Sequence, residues 1–216
     1  MRLERIDGGF VQYYDNKVIE KITFLDVCTV YFHNKPPKEL SNVDFGIAYN
    51  TQYGIPISED GSKLFVGSWE WTKGLQAYDI ETDTVLWKLK QGRIRNVFVY
   101  SDYLIVAKAY TAVFKIAINN GEVLGQVKSR ALEHLFPLNL QYVLADAPVK
   151  IFAIDTDNMT VYKKYGNKIL NSSNCLGGVA IRGVALNDNV LSISGYDLDP
   201  SKDGYFENRV IDNAFC

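Results

Sequence analysis

Between residues 64 and 87 the chain reads LFVGSWEWTKGLQAYDIETDTVLW. An apolar run gives way to a polar loop, then to an alternating segment, a turn and a further alternating segment. Alternation at period two predicts strand, loop, strand, turn, strand. Two downstream stretches repeat the order: SDYLIVAKAYTAVFKIAINNGEVLGQVKS and LQYVLADAPVKIFAIDTDNMTVYKKY. A polar turn opens each unit, at Asp60-Gly61, Ser101-Asp102 and residues 139–141. A tight hairpin is expected inside each, at Glu81-Thr82-Asp83, Asn119-Asn120-Gly121 and Asp157-Asn158, because these residues tolerate the positive φ that short hairpins demand. Closing strands follow at 85–89, 123–127 and 161–165, and a fourth strand precedes each unit at 53–58, 94–100 and 135–140.

The repeat length of about 38–40 residues is that of a four-stranded propeller blade. The expected fold is therefore all-β, a small β-propeller of about five blades. The blades fall at 9–50, 53–91, 93–130, 132–170 and 177–216 of a single domain. The last unit has strands at 179–186, 190–194 and 208–215 and then runs out. Residues 1–6 (MRLERI) are expected to supply its outer strand and close the ring, which removes exposed sheet edges. The 9–50 unit is the least regular, and KPPKEL at 35–40 reads as a loop because two prolines remove ladder donors.

The segment Ala77-Tyr-Asp79-Ile-Glu-Thr82-Asp83-Thr-Val-Leu-Trp87 resembles the A-x-D-x-x-T-G-x-x-x-W motif of PQQ-like repeat propellers. The run from Ala153 through Asp155 and Asn158 is a second copy without the tryptophan. Residues 115–125 form a third, with Ala117 in the Asp position and Gly121 retained, and Val210-Ile-Asp212-Asn213 begins a fourth. The resemblance covers residues 53–165 and implies a scaffold like that of WD-type propellers. In it the Asp caps turn amides, the Thr or Asn bonds back locally, and the Trp packs between blades. No quinone or other cofactor is expected: quinone-holding members are exported, longer, calcium-dependent enzymes.

Composition supports strand. The chain carries 14 Tyr, 11 Phe and 16 Gly, and few Ala-Glu-Lys-Leu runs. A net charge of −2 supplies no field toward nucleic acid or anionic lipid. MRLERIDGGFVQYYD lacks the apolar core of a signal peptide, and every long apolar run is broken by polar residues, so a cytoplasmic protein is expected. Cys28, Cys175 and Cys216 share no metal spacing and read as free thiols in a reducing compartment.

Candidate chemistry is sparse. No GxSxG, glycine-rich phosphate loop or HExxH occurs, and the inner strands 94–100 and 179–186 carry no carboxylates of the kind propeller glycosidases use. Trp69 and Trp71 lie in a loop longer than its counterparts, where large amphipathic rings suit an interface or a sugar platform. Arg93 and Arg95, with Lys108, Arg130, His134 and Arg182, fall near blade boundaries and suit an acidic partner. Tyr110 and Tyr196 add aromatic surface. Asp197, Asp199, Ser201 and Asp203 alternate as in a calcium loop, but Lys202 stands where the loop needs glycine, so no metal is assigned and calcium is the lesser alternative.

These readings point to a non-enzymatic scaffold that binds another protein through one propeller face, an immunity or inhibitor protein being one form. A carbohydrate- or small-ligand-binding propeller using Trp69, Trp71 and Tyr110 is the alternative, and a divergent hydrolase or lyase the third.

Overall fold

The computed structural model describes residues 2–43, 55–68, 72–89, 92–129, 132, 134–147, 150–165, 179–187, 189–197 and 205–211. Among them there is no helix; nineteen strands form five antiparallel sheets. The first contains β1 (Arg2–Ile6), β2 (Gly9–Tyr13), β3 (Ile19–Phe24), β4 (Cys28–Phe32) and β5 (Lys38–Leu40), hydrogen-bonded in that order. The second is β6 (Lys63–Gly67), β7 (Leu75–Asp79) and β8 (Thr84–Leu89). The third holds β9 (Ile94–Val99), β10 (Tyr103–Lys108), β11 (Ala112–Ala117) and β12 (Val123–Lys128). The fourth holds β13 (His134–Pro137), β14 (Tyr142–Ala147), β15 (Lys150–Asp155) and β16 (Thr160–Tyr165). The last is β17 (Val179–Asn187), β18 (Val190–Asp197) and β19 (Tyr205–Ile211). Contacts group the chain into two compact units. One comprises Met1–Val106 with Ile116–Val123, the other Ala107–Lys115 with Leu124–Cys216.

Burial grades across each repeat for a physical reason. The central strands β7 and β10 are buried along most of their length, on both faces: β10 reads as a near-continuous apolar run, and in β7 the buried Gln76 Oε1 accepts from the Tyr78 hydroxyl at 2.9 Å. β4 alternates buried Cys28, Val30 and Phe32 with half-buried Thr29 and Tyr31. Ile19, Ile22, Val30, Leu64 and Tyr78 belong to one core cluster that joins the first and second sheets.

Three elements differ from expectation. Residues 2–6 pair with β2, from Arg2↔Tyr13 to Ile6↔Gly9, and do not extend the last sheet. A tight Asp7-Gly8 turn, with Gly8 at φ 78°, brings the two strands together locally, and closing so short a loop costs little chain entropy. The expected loop at 35–40 ends in strand: β5 begins directly after the prolines and pairs Lys38–Leu40 with Cys28–Val30 as a short edge. The strand expected at 53–58 reduces, within its described part, to a single bridge, Ile57↔Leu64. Pro56 has no N–H to give, and side chains serve Ile55 instead. Buried Gln12 accepts from the Ile55 N–H at 2.6 Å and donates to its carbonyl at 3.0 Å, and the Tyr14 hydroxyl donates to the same carbonyl at 2.7 Å.

The hairpins are looser than the tight turns expected. Residues 80–83 and 156–159 form the connections, and the single positive φ falls on the last residue: Asp83 at 53° and Met159 at 53°. Gly121 takes the same place in the third sheet at 73°. Asp79 Oδ1 accepts from Thr82 N at 2.7 Å, and Asp155 Oδ1 from Asp157 N at 2.9 Å, the capping that the repeat motif implies. Where Ala117 replaces the Asp, Asn120 Oδ1 takes over by accepting from Glu122 N at 3.0 Å.

Candidate functional site

Each repeat hairpin is held by a side chain from the preceding sheet. Lys38 Nζ donates to the Glu81 carbonyl, Trp87 Nε1 to the Ile118 carbonyl at 2.8 Å, and Lys115 Nζ to the Thr156 carbonyl at 2.9 Å. Asp83 adds a second tie: its carboxylate accepts from Ser41 N and Oγ, both at 2.8 Å, and its carbonyl accepts from Asn42 Nδ2 at 2.7 Å. The Trp87 ring lies against Gly121, where an added Cβ would come within 2.7 Å of it. One repeat on, the sizes are exchanged: Gly125 stands in the Trp87 position and Met159 in the Gly121 position, with a Cβ on Gly125 only 2.8 Å from Met159. Much of the repeat motif is thus spent on assembly.

The candidate binding residues divide by position. Arg93, just before β9, and Arg95 within it are half-buried and two residues apart, which places them on one side of the strand. Lys108 ends β10. Tyr110 sits in the β10–β11 turn at φ 63°, exposed, its N–H donating to the Leu132 carbonyl at 3.3 Å. A bulky residue in that conformation is uncommon and costs about 1 kcal/mol. His134 opens β13 opposite Asp146, its ring tilted against Phe136 with centroids 6.3 Å apart. Arg182 is the extra residue of a bulge in β17, between Ile181 and Gly183. Trp69, Trp71, Arg130, Asp199 and Asp203 lie outside the described residues, as do Cys175 and Cys216.

The acidic stretch from Asp197, read above as resembling a calcium loop, begins in strand. Tyr196 and Asp197 belong to β18, opposite Ala180 and Val179, because a bulge at Ile193/Gly195 lets β18 run past the glycine with β19 still paired. Asp197 is therefore a strand residue. Among the described residues no three His, Cys, Asp or Glu side chains gather to hold a metal. Nor is any helix among them long and apolar enough to cross a membrane.

A shallow groove of about 370 Å³ is lined by Ser58, Glu59, Asp60, Lys63, Ser101, Ile118 and Asn119. Its Asp60 carboxylate is committed to its own turn: hydrogen bonds from Ser58 and Ser62 hold its pKa down to about 2. Elsewhere burial sets the titration. It pushes the Cys28 thiol well up, with the Asp83 charge adding to the effect, and raises Tyr14 likewise. Tyr100 and Tyr165 are pushed up to about 12 by burial and by neighbouring tyrosines. All four groups resist losing a proton in the fold but lose it readily once unfolded. Their stabilisation is full below the unfolded thiol pKa of about 8.5 and declines as pH rises past that value and past the tyrosine value of about 10. The urea midpoint is expected to hold steady from about pH 6 to 8 and to fall above about pH 8.5. Relative to wild type, Cys28→Ala should be flatter between about pH 8.5 and 10; matching slopes would show that Cys28 is not part of the cause.

A feature not anticipated from the sequence recurs on the outermost strands. Val85-Leu86 in β8, Val123-Leu124 in β12 and Val161-Tyr162 in β16 are adjacent apolar pairs, each residue 36–52% exposed. In β8 and β16 the cause is a bulge: Val85 pairs with Tyr78 and Trp87 with Ala77, leaving Leu86 as the extra residue, and Tyr162 is extra in the same way. Simple alternation would have turned one member of each pair inward. The available sequence signal was a V-L, V-L, V-Y pair at one position of three repeats.

No family model matches the chain, and no curated protein sequence does. Among solved structures it is similar to BamB from Moraxella catarrhalis, at 17% identity and TM-score 0.55 over 96% of this chain. It is also similar to a chain of a mitotic checkpoint complex, at 15% identity and TM-score 0.60 over 91% of this chain. The alignments cover 60% and 64% of those proteins, so this chain spans less than two thirds of either. At such identities the likeness concerns the fold alone: the chain is an all-β protein that resembles the PQQ-like and WD-type β-propellers at the level of the repeat.

Proposed function

We propose that the protein is a non-enzymatic scaffold that binds another protein. The observation that carries this reading is the set of exposed apolar pairs at one position of three repeats. Exposed apolar side chains scattered singly need no explanation, but pairs recurring at an equivalent place suit partner contact. The catalytic alternatives have less support, since the shifted carboxylates Asp60 and Asp79 are turn caps and the shifted tyrosines and thiol follow burial. One structural neighbour is a chain of a mitotic checkpoint complex, which is consistent with a protein partner.

Affinity capture from native lysate tests the proposal. A stoichiometric protein retained by the wild type is expected; repeated capture without one would overturn the scaffold reading. The narrower immunity or inhibitor form predicts further that the captured partner is a toxin or enzyme whose activity falls on binding. A sugar- or small-ligand reading is favoured by exposed Tyr110 in its strained turn conformation, and predicts quenching of tryptophan fluorescence by a sugar panel.

A further inference from the structure

We infer that the edge strands β8, β12 and β16 each dock an extended peptide segment that carries aliphatic side chains at one end and acidic ones at the other. This rests on the protein-binding reading and names the chemistry of the partner. Among the described residues each strand is the edge of its sheet, with β8 beyond β7, β12 beyond β11 and β16 beyond β15. An edge offers a row of main-chain donors and acceptors to an added strand, and side-chain contacts then give specificity.

Each edge also has a fixed polarity. The strands read TVLWKL, VLGQVK and TVYKKY: an exposed apolar pair at the start, lysine towards the end, and no acidic residue within any of them. Lys88, Lys128 and Lys164 are exposed. The acids just before β8 are already engaged, Glu81 by Lys35 at 2.7 Å and Asp83 by Ser41 and Asn42. Within these strands every charged side chain is a lysine, in a protein of net charge −2.

That charge selects the occupant. Lysines on edges discourage pairing with like edges, which disfavours two copies of this chain meeting edge to edge. A segment with Asp or Glu facing those lysines and aliphatic side chains facing the exposed pair is complementary on both counts. The bulge turns both members of the pair outward in β8 and β16 and bends the strand, which favours one docked segment over continued sheet growth.

The test uses a fluorescein-labelled peptide with valines in one half and glutamates in the other, with a control in which lysine replaces each glutamate, read by fluorescence anisotropy. The full chain is compared with Leu86→Ser/Leu124→Ser/Tyr162→Ser and with Lys88→Glu/Lys128→Glu/Lys164→Glu. The wild type is expected to bind the acidic peptide at least about tenfold more tightly than the basic one. The serine variant should lose about tenfold or more, and the charge-reversed variant should invert the preference. Equal affinity for both peptides, no binding of the acidic peptide, or unchanged binding by the serine variant would each overturn the inference. Should near-ultraviolet circular dichroism show the serine variant misfolded, the charge-reversed variant decides alone. Dimerisation of the wild type that the serine substitutions abolish would assign the edges to a second copy and also overturn it. A native partner captured equally by wild type and serine variant would leave the scaffold standing while the docking edges fall.

Discussion

Trp87→Ala is expected to lower the free energy of unfolding by about 3–5 kcal/mol. Trp87 is buried in β8, its ring covers Gly121, and Phe65 lies 6.2 Å away between ring centroids. Truncation removes this contact area, opens a void between the second and third sheets, and leaves the Ile118 carbonyl without its 2.8 Å donor. Trp87→Phe should fall between, because it keeps most of the packing but not the hydrogen bond. Gly121→Ala attacks the same contact from the other side, with both a positive φ and a Cβ 2.7 Å from the ring. In the Trp87→Ala background that collision is absent, and only the backbone cost of about 1 kcal/mol should remain. Urea denaturation of the four proteins in the cycle measures the coupling, and strict additivity would refute the contact.

Gly9→Ala should be about as damaging, at roughly 4 kcal/mol or more. A Cβ at Gly9 would stand 1.7 Å from the Phe24 carbonyl oxygen and 2.8 Å from its carbon. Those are backbone atoms, so no rotamer change relieves the clash and β2 must separate from β3. That motion breaks the Phe10↔Phe24 pairing and the stacking of those rings at 4.3 Å. Gly8 supplies an adjacent control: it has positive φ, but a Cβ there meets nothing within 4 Å. Gly8→Ala should therefore cost only about 1 kcal/mol. Denaturation midpoints compare the two directly. Equal losses would mean that strain in the turn, and not the approach of Phe24, governs this hairpin.

The repeats were legible because their signal is local. Apolar runs mark β6 and β10, alternation marks β7, β8, β11, β15 and β16, and the resemblance to the PQQ-like repeat implies Asp79 and Asp155 as turn caps. The placement of residues 2–6 was missed for a different reason. The Asp7-Gly8 turn between RLERI and FVQYY is a strong local hairpin signal, whereas ring closure by residues 2–6 has no short-range feature behind it. The Lys38–Leu40 edge was hidden behind its prolines. For the candidate site, charge and aromatic content singled out Arg93, Arg95, Tyr110 and His134. The Val85-Leu86 and Val161-Tyr162 pairs passed as ordinary strand, since a bulge leaves no distinctive residue type to read. Tyr196 and Asp197 read as loop from sequence because acidic and glycine-rich composition resembles a turn even where pairing persists.

The exchange of sizes between Trp87/Gly121 and Gly125/Met159 bears on how a repetitive chain avoids misassembly. Similar units made of similar strands invite wrong neighbours during folding. Here a strand carrying Trp87 fits only a hairpin with glycine at the facing position, and presenting it with Met159 would drive two large side chains into the same space. The strand carrying Gly125, set against Gly121, would leave a hole. These two junctions therefore carry a steric address that favours each strand's own hairpin over the other's.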